Sequence, residues 1–112
     1  MLTLRARQLS KLPFTREIIK ENMEIPQKIK IGGHTYTIIV TDDKNIVDED
    51  SYGNRDDSKM EIALSKKVFH SQQEETLLHE ILHCINNELS EVTIQNIAQG
   101  LYQVLKDNKL QF

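Results

Sequence analysis

Two hydrophobic periodicities divide the chain. Between Met23 and about residue 64 the strand-like stretches set apolar residues at every second position, and beyond about residue 71 they recur at steps of three and four. Lys28-Ile29-Lys30-Ile31 alternates, Gly32-Gly33 is a tight-turn pair, and His34-Thr35-Tyr36-Thr37-Ile38-Ile39-Val40 is rich in β-branched residues. Together they predict a hairpin. Residues 41–58 are polar and acidic and predict a solvated loop, with a short strand around Ile46-Val47 and a turn at Tyr52-Gly53-Asn54. A calcium loop counted from Asp48 fails, because Lys59 stands where its closing Glu is needed. Lys59-Met60-Glu61-Ile62-Ala63-Leu64 alternates again and predicts a further strand.

The helical half begins at Ser71-Gln72-Gln73-Glu74, which reads as a capping box with Ser71 as N-cap and Glu74 returning to its backbone. Leu77, Leu78, Ile81, Leu82 and Ile85 then form an apolar stripe, and Asn86-Asn87 favours a stop. Ser90 is the expected N-cap of a last helix from Glu91 to about Lys106, whose apolar face comprises Ile94, Ile97, Ala98, Leu101 and Leu105. The fold class expected is α+β, a small, mostly antiparallel sheet packed on two helices. No internal repeat or low-complexity tract appears.

Composition sharpens this picture at three points. With 112 residues, 38% of them hydrophobic and no Trp, the chain supports one modest aliphatic core, to which a bound metal would add usefully. Residues 1–22 carry five basic side chains against Glu17 and Glu21, which leaves a balance of -6 on the remainder. That balance argues against nucleic acid as partner of the folded part. The division expected is therefore a basic extension over 1–22, helical or loosely ordered, and a folded domain over 23–112. Three readings of the extension stand side by side: a packed accessory helix, a basic arm, or sequence upstream of a start at Met23. A single cysteine, Cys84, fits a reducing cytoplasm, and no apolar run approaches a membrane span.

The chemistry lies in His79-Glu80-Ile81-Leu82-His83, an H-E-x-x-H pattern. Residues four apart on a helix sit one turn above each other, so two imidazoles can converge on one ion. Zinc accepts neutral imidazole nitrogens and leaves a position open in catalytic sites. Glu80 leaves the helix on an adjacent face, where it can act as general base toward a metal-bound water without being a ligand. A catalytic zinc needs a third protein ligand, and the residue types offer Glu88, Glu91 and Asp107. Glu91, in the first turn of a helix that packs back on the first, is preferred over Glu88. Leu89 occupies the sixth position beyond His83 and excludes the long metzincin pattern. For a second oxyanion donor the candidates are Tyr36, Tyr52, Tyr102, His34 and His70.

The order of hairpin, acidic loop, strand, Glu75-Thr76-Leu77-Leu78-His79-Glu80-Ile81-Leu82-His83 and a Glu-led final helix resembles the ImmA/IrrE-like metallopeptidases, above all their minimal phage and prophage members. The terminal Leu101-Tyr102-Gln103-Val104-Leu105-Lys106-Asp107-Asn108 is similar to the tail of such proteins. The resemblance covers roughly residues 24–108. It implies a minimal zincin-like domain, a Zn2+ cofactor, Glu91 as third ligand and hydrolysis of a protein or peptide substrate. By the same analogy the strand over 60–64 is expected at the sheet edge, pairing with substrate backbone. Only seven residues separate His83 from Glu91, fewer than in most relatives, and no substrate-sensing domain is expected within these 112 residues. The expectation is thus a cytoplasmic zinc metalloendopeptidase. The alternative is a zinc-stabilised, non-catalytic protein-binding module of phage or prophage type, for which Glu80 would have no use.

Overall fold

The computed structural model describes residues 24–110, so the basic segment 1–22 lies outside the described residues. Strands β1 (Lys28–Ile31), β2 (His34–Thr41), β3 (Gly53–Asp56) and β4 (Glu61–Ser65) are followed by helices α1 (His70–Ile85) and α2 (Glu91–Asp107). The architecture is α+β. Gly32 and Gly33 both have positive φ, 59° and 87°, the conformation that a two-residue hairpin turn needs at its central positions, so β1 and β2 pair antiparallel as expected.

The sheet departs from expectation in its order, which is β1-β2-β4-β3. The strand expected at the edge, β4, is internal. It runs parallel to β2 and antiparallel to β3, so the sheet is mixed, with two of its three pairings antiparallel. Its three consecutive buried residues, Ile62, Ala63 and Leu64, show why: a strand covered on both faces has no exposed face to alternate with. The edge strand is instead Gly53–Asp56, where the sequence suggested a turn. Ile46 and Val47 belong to a turn rather than a strand, although Val47 is buried.

The core gathers Ile31, Tyr36, Ile38, Ile62 and Leu64 from the sheet and Leu77 from α1. Helix α1 touches β1, β3 and β4 on one side and α2 on the other, so it is the middle layer, and among the described elements α2 packs on α1 alone. Ile94 and Ala98 are fully buried, whereas Ile97 and Leu101 of the expected face are largely exposed, as is Ile85 on α1. The buried stripes are therefore narrower than the apolar ones.

The start of α1 also differs from expectation. Phe69, not Ser71, is the N-cap; it makes no side-chain cap, and Gln72 and Gln73 donate their backbone N–H groups to its carbonyl. Beginning two residues earlier turns Glu74 away from a capping role and onto the interface between the helices. There Tyr102 donates to its Oε1 at 2.5 Å and Lys106 Nζ lies 3.4 Å away, while His70 Nε2 faces Oε2 at 3.3 Å. Glu74 is fully buried, and burial with the Glu74 carboxylate alongside pushes the Tyr102 phenol well above its ordinary pKa.

Candidate metal centre

The four-residue spacing on α1 sets His79 and His83 side by side, with ring centroids 4.9 Å apart and Nε2 atoms 3.2 Å apart. The loop between the helices is short, and Ser90 ends it as expected by accepting the Thr93 N–H at 3.1 Å. That cap fixes the direction of the first turn of α2. Glu91 thereby reaches back across the helix pair, its Oε2 2.7 Å from His79 Nε2 and its Oε1 2.9 Å from His83 Nε2. Of the two glutamates weighed for this position, the fold brings Glu91 to the histidines. Glu88 is exposed, with its backbone N–H on Asn86 Oδ1. Asp107 lies at the far end of α2, where Gln103 donates to it.

Two imidazole nitrogens and a carboxylate, all within 4.8 Å of one another, form a group that could hold a metal ion. The donor set fits the expected ion. Ligand atoms about 2.0–2.1 Å from one tetrahedral zinc lie about 3.4 Å from each other. The observed separations of 2.7, 2.9 and 3.2 Å are slightly tighter, the Glu91 oxygens lying at hydrogen-bond distance from the two imidazole nitrogens, and a small opening would admit an ion. Burial works to raise the pKa of Glu91, but the combined pull of His79 and His83 carries it below the ordinary carboxylate value. This favours the ionised form that a ligand requires.

Glu80 stands beside this group and outside it. It is buried, and that burial, with Glu91 adding to it, raises its pKa above the ordinary value of 4.5 against the opposing pull of His79, His83 and Arg55. A carboxyl poised in this way, next to an open ligand cluster, suits proton transfer. A cleft of about 310 Å³ opens along it between Tyr52, Gly53, Thr76, His79, Glu80 and Glu91.

Arg55 is the site residue with no sequence signal. Gly53 and Arg55 share the inner face of β3. A Cβ at Gly53 would lie 2.6 Å from the Thr76 methyl and 2.9 Å from the Ala63 carbonyl oxygen, so only glycine allows β3 this close to α1. Two residues along the strand match four along the helix, and Arg55 arrives opposite Glu80, NH1 to Oε1 at 3.9 Å. Among the oxyanion candidates, Tyr52 lines the cleft. Tyr36 donates to Asp57 at 3.4 Å, Tyr102 and His70 lie against Glu74, and His34 is exposed at the start of β2.

No known protein family, curated protein or solved structure matched this chain.

Proposed function

We propose that the protein is a zinc-dependent endopeptidase of the kind its sequence resembles. The observation that carries this reading is the convergence of His79, His83 and Glu91 with a buried glutamate next to them and not among them. A metal placed only to hold the fold has no need of such a base. His79 and His83 would hold the ion from α1 and Glu91 from α2. When bound, the ion lowers the pKa of a water and polarises the scissile carbonyl.

The chain's own residues account for the protons. Glu80 accepts the proton of the attacking water as its oxygen bonds to the carbonyl carbon and the C=O electron pair moves to the carbonyl oxygen. Glu80 then returns that proton to the amide nitrogen as the C–N bond breaks and the carbonyl re-forms, leaving a carboxylic acid. The acid passes its remaining proton to the freed amine to give a carboxylate and an ammonium group. Among the described residues β3 has one unpaired edge, and that edge, which borders the cleft, supplies backbone groups on which an extended peptide can pair. That role, expected of the strand over 60–64, passes to Gly53–Asp56, because β4 has both of its edges occupied.

Metal content of protein purified without chelator or affinity tag tests the reading, together with Glu80→Gln and Glu91→Ala. One zinc per chain is expected in the parent and in Glu80→Gln, with loss in Glu91→Ala. Peptide hydrolysis should be seen in the parent and fall by a factor of about 100 or more in Glu80→Gln. A parent that is folded, takes up no zinc and does not change on its addition ends the proposal. Zinc uptake with no hydrolysis by either protein would favour the binding module instead.

A further inference from the structure

Arg55 is held in a way that a simple surface ion pair does not require. Its Nε donates to both Asp57 oxygens, at 3.3 and 3.4 Å, and Asp57 Oδ1 in turn accepts the Tyr36 hydroxyl at 3.4 Å from strand β2. Its side chain is only 22% exposed, on the inner face of an edge strand, where the helix opposite would ordinarily be met by an apolar residue. A guanidinium is a rigid planar fork, so fixing Nε also fixes the aim of the terminal nitrogens. Arg55 lines a second, adjoining hollow together with Glu80, His79, His83, Glu91 and Asn87, and its NH1 lies on the Glu80 side. The 3.9 Å between NH1 and Glu80 Oε1 is too long for a hydrogen bond. It is the right separation for one oxygen atom to sit between them, at about 2.8 Å from each.

We propose that Arg55 is a catalytic residue of this site, whose guanidinium donates to an anionic oxygen of the tetrahedral adduct formed at the scissile carbon. The assignment rests on the peptidase reading and deepens it. Arg55 remains charged throughout, so it needs no proton transfer of its own, and its aim is set before substrate arrives. Such a donor helps the adduct more than the planar substrate, so its loss weakens binding of tetrahedral anions far more than binding of the uncleaved peptide.

The test uses the full chain loaded with zinc and titrated calorimetrically with N-phosphoryl-leucylalanine, a tetrahedral anion, and with inorganic phosphate. Arg55→Met keeps the length and loses the charge, while Arg55→Lys keeps the charge and loses the fork, and it also serves if the Met variant fails to fold. Affinity for the phosphoramidate is expected to fall by a factor of about 100 in Arg55→Met and less in Arg55→Lys. Zinc affinity should stay within about threefold of the parent, because Arg55 is not among the ligand atoms. Equal phosphoramidate affinity in the zinc-loaded parent and Arg55→Met overturns the assignment and leaves the metal reading intact. So does a zinc-loaded parent that binds neither anion, or a loss that appears in Tyr52→Phe and not in the Arg55 variants. A parent that takes up no zinc brings down the peptidase reading and this inference with it.

Discussion

At Glu80 two opposed influences meet in one side chain, and their balance can be read in solution. Burial holds its pKa up, and the neighbouring histidines and Arg55 pull it down without cancelling the rise. In the unfolded chain the group ionises near 4.5. Between that value and the higher folded pKa the unfolded state releases its proton first, so stability is lost as pH rises through the window. Above the window the full penalty remains. Glu80→Gln cannot ionise and escapes it. With chelator present, the melting temperature of Glu80→Gln relative to the parent should therefore rise as pH increases above 4.5 and level off once Glu80 is ionised in the folded protein. Glu91, whose pKa is depressed, titrates in both proteins, and its repulsion of Glu80 is part of the penalty that the difference reads. A difference that stays flat or shrinks with pH would show that burial does not govern Glu80.

Helix α2 shows how one element turns a capping residue into part of a site. Ser90 accepts the Thr93 N–H, and the next residue, Glu91, is the one that spans to His79 and His83. Replacing Ser90 by Ala removes the cap at a cost of about 1 kcal/mol. In a domain of this size that lowers the melting temperature by roughly 4–8 °C. The first turn of α2 also frays, so zinc affinity should fall in Ser90→Ala, although Ser90 is not a ligand; calorimetric titration with zinc checks this. Unchanged affinity would mean that interhelix packing alone orients Glu91. This part of the site was legible in the sequence because every step in it is local: a four-residue repeat on one helix, a short connection, and a cap. The sheet was less so. Pairing of β4 with β2 and β3 is set by contacts far apart in sequence, and Gly53-Asn54-Arg55-Asp56 offers no apolar alternation to announce a strand. Arg55 could not be found without that strand. Glu74 was misread because the capping box and a buried interhelix acid have the same local sequence, and only Tyr102 and Lys106 on the other helix tell them apart.

At the scale of the whole molecule the layers are joined unequally. Helix α1 is anchored on one side by the buried cluster it shares with the sheet, whereas α2, among the described elements, contacts α1 alone and buries Ile94 and Ala98 most completely. Such an outer element can open without unfolding the rest, and amide exchange would report it as the less protected of the two helices. An ion held by two ligands from α1 and one from α2 would close that weak joint. Binding to the folded state alone stabilises it by mass action, by about 2.7 kcal/mol when free zinc is a hundredfold above its dissociation constant. A rise in melting temperature of roughly 10–20 °C should accompany that gain. The distribution of the effect is the sharper prediction. Sub-saturating zinc should slow exchange over Glu91–Asp107 first, while β4, which opens only with the whole fold, responds only as global stability rises. In Glu91→Ala the selective protection of α2 should vanish even where some zinc is still held by His79 and His83. Protection that increased equally across β4 and α2 at every zinc concentration would instead mark the two-helix unit and the sheet as one cooperative body. The metal would then stabilise the fold without acting as its clasp.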